Sequence, residues 1–438
     1  MAFTIVQEQR AYSYERLISD LEMPIKEFDE FCAELRRNRF LDIKNNTFIF
    51  NYVGIIHCRD HVIVCMPKIL NDIYDQQNIG KMLLLLQEYS RRESMNSDEM
   101  ETLSYESSGD IGSKMALMLF LLNDYYENGW YTSEKTTFVA SGDNEIDWTK
   151  TIESTNAIVS NRTPVYLETY SCDTVQDESN FLYQLHQSVV KSCYDFIVKT
   201  GLNQVFGYPA IETDKQELDI MNSQFAAQCI YVEINQQFID SKLATLKALY
   251  AYVTGSSFKA EDSLIDMYGT RSFHSVWEKV CGYVLGNQYT SLRQYIAKPS
   301  WQSIDNYNHS TDTIIPDIVI EANLENQRVF ILVDAKYYNL VFGQELKNHP
   351  GISDLTKQYL YHLAYKEYLQ QRQIDIVYNI LLFPAEVDGF NDLGTVSIEF
   401  LDNVGLECIR VVQAPMIDFF ERYIKRKRLT MYELSQIL

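Results

Sequence analysis

Positive charge is scarce in this chain: 38 Lys and Arg stand against 60 Asp and Glu, a formal net charge of -22. A free-standing nucleic-acid binder is ordinarily basic, because phosphate neutralisation dominates its affinity. This balance therefore predicts long-range repulsion of DNA unless cations are concentrated locally or a partner subunit supplies the grip. Long apolar runs are missing too. The longest, Met115 to Leu122, falls far below the ~20 residues of a membrane-spanning helix. Met1 to Glu8 shows neither the basic start nor the apolar stretch of a secretion signal. A soluble, cytoplasmic protein with no membrane partner is expected.

Several catalytic signatures are absent. No G-x-x-x-x-G-K-[ST] loop occurs, so nucleotide binding of the P-loop kind is excluded. The chain also lacks G-x-S-x-G, H-E-x-x-H and a G-x-G-x-x-G that follows a strand, which argues against serine hydrolase, zincin and dinucleotide chemistry. No Cys-x-x-Cys pair is found among Cys32, Cys58, Cys65, Cys172, Cys193, Cys229, Cys281 and Cys408. Scattered among apolar neighbours, these read as reduced, mostly buried thiols. His57, Cys58, His61 and Cys65 crowd together, but they straddle a predicted hairpin, Tyr52 to His57 and His61 to Met66, with Arg59-Asp60 as its turn. Alternating faces would scatter them, so no metal is expected there.

What the chain does contain is Pro316-Asp317-Ile318-Val319-Ile320-Glu321, followed by Asp334-Ala335-Lys336. Each half lies in an apolar, β-branched run that reads as a buried strand, and Ala322 to Arg328 reads as the turn. Such a hairpin brings Asp317 close to Asp334, with Lys336 two residues on and on the same strand face. Two carboxylates at strand ends can hold a hard divalent cation through oxygen. A lysine beside them can orient a water and stabilise charge on a phosphate. Amphipathic helices flank the pair. Phe273 to Leu285 places Phe273, Trp277, Val280, Cys281 and Val284 on one stripe, with Glu278 beside it. Asp354 to Tyr365 follows Pro350-Gly351, with Ser353 or Asp354 as its cap. Glu278 and Gln358 each have a plainer alternative, a boundary glutamate and a structural amide.

Pro316-Asp317 with Asp334-Ala335-Lys336 resembles the PD-(D/E)xK nuclease motif. The resemblance implies that Asp317, Asp334 and the carbonyl of Ala335 hold Mg²⁺, with Mn²⁺ as a substitute, and that Lys336 positions the hydrolytic water. It implies a metal-site role for Glu278, because related nucleases often carry a glutamate on the helix before the first core strand. Lys357-Gln358 and Tyr361 resemble the K-Q-x-x-Y element, in which Gln358 would contact water or the DNA backbone. Tyr361 falls three residues after Gln358, where the RecB-like version has four.

Elsewhere, residues 12–52 suggest a winged-helix-like start: two short helices, the second around Lys26 to Arg37, then a hairpin. The arginines of Arg36-Arg37-Asn38-Arg39 would face a phosphate backbone or simply solvent. A helix near Gly80 to Arg92 precedes an acidic, Ser-rich stretch, Glu93 to Asp110, that reads as a long exposed loop. Helices follow at Ile111 to Tyr126, Glu178 to Lys199 and Glu217 to Thr254, the last with one break. After the Asp334 strand, strands are expected at Ile374 to Phe383, Val396 to Leu401 and Glu407 to Val412, then a helix from Ala414 that carries Lys425-Arg426-Lys427-Arg428. The fold class is α+β and multidomain. A β-rich N-terminal region spans 1–165, a helical middle spans 166–258, and a nuclease core with a mixed sheet flanked by helices spans 259–438.

Tyr52-Val53-Gly54-Ile55-Ile56 with Met66-Pro67-Lys68-Ile69, and the G-x-x-x-I-x-W-x-x-T-I element from Gly142 to Ile152, resemble McrC-type restriction subunits and, more narrowly, the LlaJI restriction endonuclease family. That resemblance implies a host-defence nuclease that cuts double-stranded DNA when licensed by a separate McrB-like AAA+ NTPase, with the N-terminal half docked on the motor. Self-association for double-strand cleavage fits the same picture. Rival readings are an activator that mainly stimulates the partner's nucleotide hydrolysis, a stand-alone DNA-repair nuclease, and a pure interaction scaffold.

Overall fold

A computed structural model describes residues 3–45, 47–59, 61–95, 99, 102–104, 113–160, 163–176, 180–212, 224–255, 265–305, 307–310, 314–324, 327–402, 406 and 408–438. It is a mixed α+β protein with several sheets, in two compact units: Met1–Ser104 with Thr200–Tyr208 and Asp262–Leu438, and Tyr105–Lys199 with Pro209–Glu261. The expected breaks at 165 and 258 do not coincide with this division. The physical reason is strand pairing: Ile265–Thr270 lies antiparallel to Val53–Cys58, so a strand from the C-terminal half completes the front sheet. Among the described residues, no helix is long and apolar enough to cross a membrane.

The first unit begins with a small module. Ala11–Ser13 leads into helix Tyr14–Leu21, whose start is capped by Ser13 Oγ accepting from the Arg16 N–H at 3.3 Å. Helix Ile25–Arg37 follows, then the antiparallel pair Leu41–Lys44 and Thr47–Phe50, with Ala11–Ser13 on the other edge. Phe28, Phe31 and Leu35 at helical spacing bury against Phe48 and Phe50 at strand spacing. The same core continues into Ile56, Ile63 and Cys65 of the front sheet, whose order is Thr4–Gln7, His61–Met66, Val53–Cys58, Ile265–Thr270. The module therefore cannot bury its apolar faces without that sheet. Cys32, Cys58, Cys65, Cys193 and Cys281 are buried as expected, whereas Cys408 is exposed.

The acidic stretch after helix Gln76–Arg92 departs from the expectation of an exposed loop. Much of it lies outside the described residues, but Glu99, Thr102 and Leu103 are buried. Glu99 accepts from the Tyr89 hydroxyl at 3.1 Å, and Thr102 Oγ1 donates to the Gly269 carbonyl at 2.6 Å. Glu93 also has partners, the Tyr423 hydroxyl at 3.1 Å and Lys279 at 3.7 Å. Glu93 and Glu99, which looked free for solvent, are thus tied to aromatic hydroxyls.

The C-terminal sheet positions the candidate site. Its order is Ile318–Leu324, Gln327–Ala335, Ile376–Ala385, Ile409–Pro415, Asn391–Val396. The first and last pairs are antiparallel and the two central pairs parallel. Val329 to Ala335 are buried at every position, so both faces of that strand are covered. Val319, Phe330 and Leu332 pack under Ala364, Tyr365, Tyr368 and Leu369 from helices Ile352–Ala364 and Lys366–Arg372. Helices Phe273–Leu285 and Met416–Ile424 also contact the sheet and each other.

Two expected elements shift. Val396 to Leu401 is not a strand: the edge strand is Asn391–Val396, and Glu399–Asp402 is a short helix. Asp392 accepts from the Gly394 N–H and pairs with Arg410 across a register shift, which fixes the strand earlier than its apolar residues suggest. The basic run Lys425 to Arg428 lies beyond the helix, which ends at Ile424 because Arg426 turns left-handed at φ 55°.

The second unit packs helices Lys114–Asn128, Phe181–Lys199, Gln224–Ile234 and Asp240–Thr254 against one another. It also carries the antiparallel pair Glu134–Ala140 and Tyr170–Gln176, strands not expected from the sequence. The Gly142 to Ile152 element folds back on this pair. Asp147 caps helix Trp148–Ser154 by accepting from the Lys150 N–H at 2.7 Å, and buried Thr151 accepts from the Tyr170 N–H at 2.9 Å.

Gly54 faces Gly269 across the front sheet. Gly54 has φ +139°, and a Cβ there would lie 2.2 Å from the Tyr268 carbonyl oxygen. Both strands are buried, so neither backbone can retreat cheaply. Gly54→Ala should cost about 2–4 kcal/mol, read as a lowered urea midpoint at unchanged m-value. An unshifted midpoint would show that the two strands can separate.

Candidate functional site

Ile318 lies opposite Val333, and extending that register by one residue sets Asp317 opposite Asp334. Both carboxylates fall on the face that carries Val319 and Leu332, towards helix Ile352–Ala364. Asp317 hydrogen-bonds Asp334 and accepts from the Ala335 N–H at 3.0 Å. Lys336 prolongs the strand, its N–H donating to the Leu382 carbonyl at 2.9 Å. Its ammonium lies 2.8 Å from Asp334 and 3.1 Å from Asp354. Asp317, Asp334, Ala335 and Lys336 are thus brought together, as the sequence suggested.

The electrostatics follow from burial and crowding. Burial raises the Asp317 pKa, and the hydrogen bond and charge of Asp334 raise it further, because two adjacent carboxylates resist losing both protons. Burial works against the Lys336 ammonium, but Asp334 and Asp354 outweigh it and leave its pKa raised. Glu278, half-buried on helix Phe273–Leu285, is raised by burial; Asp334 adds to the rise and Lys336 opposes it. Glu278 therefore feels the cluster, although no hydrogen bond joins it to Asp317 or Asp334 among the described residues. No three His, Cys, Asp or Glu side chains converge as a ready metal cage among them either.

Helix Ile352–Ala364 presents Asp354, Gln358 and Tyr361 at i, i+4 and i+7, one face turned to the sheet. The expected side-chain cap at Ser353 or Asp354 is not made. Gly351 occupies the N-cap, and Asp354 lies inside the first turn, where a negative charge suits the helix dipole. Its carboxylate is turned to Lys336. Buried Gln358 donates from Nε2 to the Leu332 carbonyl at 3.1 Å and the Ile380 carbonyl at 3.2 Å, and its buried Oε1 has no partner among the described residues. The Tyr361 hydroxyl is pushed up to about 12 by burial and by the charges of Asp334 and Asp317.

Asp354 was missed as a site residue; the available signal was an acid placed one helix turn before Gln358. Asn287 and Gln288 were missed too. The Asn287 side chain donates to the Asp317 carbonyl at 2.7 Å and accepts from the Val319 N–H at 3.0 Å. Gln288 does the same to Glu321, donating to its carbonyl and accepting from its N–H, both at 3.2 Å. Two side-chain amides thus occupy the open edge of the Asp317 strand in place of another strand. Tyr337, next to Lys336, is buried against Phe273, with its hydroxyl donating to Glu8 at 2.7 Å. One helix start and one front-sheet carboxylate thereby hold the residue that follows the lysine.

Known proteins resemble this chain over most of its length. The model of the LlaJI restriction endonuclease family matches residues 52–418. The type II restriction enzyme BsuMI component YdjA of Bacillus subtilis (strain 168) is 29% identical over 404 residues, covering 89% of this chain and 84% of YdjA. Among solved structures, a chain from the assembly of Thermococcus gammatolerans McrB AAA+ hexamers with bound McrC matches at 10% identity and a TM-score of 0.39, covering 97% of this chain and 99% of that one. A chain of the McrBC complex from the same organism matches at 8% identity and a TM-score of 0.26, covering 57% and 79%. At such scores neither structural likeness bears weight.

Asn287→Ala should lower stability by about 1–2 kcal/mol and speed hydrogen exchange at the Val319 amide, whose partner is removed. Unchanged exchange at Val319 would show that Asn287 does not pin the strand.

Proposed function

The chain belongs to the LlaJI restriction endonuclease family, and from that premise we propose that it is the DNA-cutting subunit of a restriction system, a PD-(D/E)xK nuclease that depends on Mg²⁺ and is licensed by an AAA+ NTPase partner. The observation that carries this reading is the juxtaposition of Asp317, Asp334 and Lys336 at adjacent strand ends. A scaffold or a pure activator has no need of a carboxylate pair and an ammonium packed within hydrogen-bond reach at the cost of their desolvation.

The donor set fits a hard divalent cation. Burial and the adjacent Asp334 raise the Asp317 pKa, and a divalent cation between the two carboxylates would relieve that crowding. Asp317, Asp334 and the Ala335 carbonyl would hold it, with Glu278 as the further acid. Bound there, Mg²⁺ supplies Lewis acidity to the phosphate. The chain's own residues supply the rest. Lys336, steadied between Asp334 and Asp354, orients the attacking water and offsets negative charge that builds on the phosphate. Asp354 sets the direction of that ammonium. Gln358, whose amide nitrogen bridges two strand carbonyls, holds the strands in register and has no direct part in the chemistry. The partner follows from the family resemblance and from the acidic balance, which leaves long-range attraction of DNA to another subunit.

In Mg²⁺, with an McrB-like AAA+ partner added, the wild type should cut plasmid DNA. Lys336→Ala should slow cleavage on the order of 10²- to 10³-fold while still supporting the partner's nucleotide hydrolysis. Cutting by Lys336→Ala at the wild-type rate would remove Lys336 from the chemistry and sink this assignment.

A further inference from the structure

A nuclease this acidic needs a local grip on DNA near the cut, and the obvious basic run does not offer one. Lys425 pairs with Glu421 at 2.9 Å, Arg426 approaches Glu88 at 3.6 Å, and Arg428 lies over the Tyr283 ring at 5.4 Å. Lys425, Arg426 and Arg428 thus already have partners within the chain.

A second group of polar residues lies next to Lys336. Tyr338 and Asn339, which follow it closely in sequence, line one wall of an open cavity of about 500 Å³. Asn348 closes that wall, its Nδ2 donating to the Asn339 carbonyl at 2.9 Å. The facing wall is the chain from Gln7 to Arg10 together with Lys68 of the Met66-Pro67-Lys68-Ile69 element. Among the described residues no aliphatic side chain lines the cavity, so its lining does not suit an apolar ligand. Lys68 is half-exposed, with its ammonium 3.2 Å from Gln9 Oε1 and 4.5 Å from the Tyr337 ring centroid. Arg10 is exposed and joins no ion pair among the described residues. The acid in this wall, Glu8, is turned inward: it is 6% exposed and accepts from the Tyr337 hydroxyl and from the Lys68 N–H at 3.3 Å. The face left to solvent is therefore cationic and amide-rich. Such side chains bind phosphodiester oxygens without reading sequence.

We propose that this cavity seats the phosphate backbone of the DNA strand beside the bond that is cut, with Arg10 and Lys68 as its charged contacts and Asn339 as a neutral one. The proposal rests on the nuclease reading and adds where that nuclease holds its substrate. Asn339 lies three residues beyond Lys336, at most about 11 Å of extended chain. That is roughly three nucleotide steps at ~3.4 Å of duplex axis each. The front sheet, through Arg10 and Lys68, would thus fix the strand while the C-terminal sheet presents the carboxylates.

The test is binding of the full-length protein to a short fluorescent DNA duplex, without divalent metal, across a salt titration. Arg10→Gln and Lys68→Gln should each lower the slope of log K against log salt by about one, with unchanged melting temperature. Lys68→Arg should keep the wild-type slope, which separates charge from packing. Lys425→Gln, outside the cavity, should also keep it. Wild-type slopes in Arg10→Gln and Lys68→Gln would overturn the proposal, as would an equal loss in Lys425→Gln. No duplex binding by the wild type at the lowest salt would overturn it too. In each of those cases the nuclease reading stands or falls separately, on cleavage by Lys336→Ala.

Discussion

The antiparallel register that sets Ile318 against Val333 also sets Asp317 against Asp334, and the rest of the candidate site is arranged around that meeting. Strand side chains alternate faces, so a slip of one residue would send Asp334 and Lys336 to the opposite side of the sheet from Asp317. The register is held on both flanks. On one side Gln327–Ala335 runs parallel to Ile376–Ala385, a pairing continued by the Lys336 N–H to Leu382. On the other, the outer edge of Ile318–Leu324 is occupied by Asn287 and Gln288, whose side-chain amides bond backbone groups at Asp317, Val319 and Glu321. Gln358 adds a bridge between the strands of Leu332 and Ile380 from above.

Charge placement obeys the same economy of partners. Removing ionised groups from water is costly unless each finds a counter-charge or hydrogen bond. Lys336 finds Asp334 and Asp354; Asp317 finds the Ala335 N–H, and its pKa is raised by burial and by Asp334. The excess of acids elsewhere is partly absorbed by tyrosine hydroxyls, as at Glu8, Glu93 and Glu99. Arg92 shows the complementary solution for a cation, lying 4.1 Å from the ring centroids of both Tyr283 and Tyr423 while donating to the Tyr423 carbonyl.

The two halves of the first unit are not separable modules. Ile265–Thr270 completes the front sheet immediately before helix Phe273–Leu285, which carries Glu278 and starts against Tyr337. Glu8 and Lys68 reach the same tyrosine from the front sheet. The residue after Lys336 is therefore packed from both directions, which lets the front sheet influence the geometry at the strand end without touching the carboxylates.

Much of this was legible from residue patterns alone. Alternation and β-branching marked the Asp317 and Asp334 strands, and helical spacing marked Phe273 to Leu285 and the Gln358 helix, because those signals are local and repeat along the chain. The Glu134–Ala140 and Tyr170–Gln176 pair lacked such a signal, since its pairing joins segments far apart in sequence. The acids at Glu93 and Glu99 looked solvated because nothing in their own neighbourhood names a distant tyrosine as partner. The sequence by itself determined that Asp317, Asp334 and Lys336 stand together, through their place at the ends of adjacent buried strands. Only the tertiary structure decided which groups hold them there, Asp354, Asn287, Gln288 and Tyr337 with Glu8, because hydrogen bonds between remote segments depend on packing and leave no periodic trace in the chain.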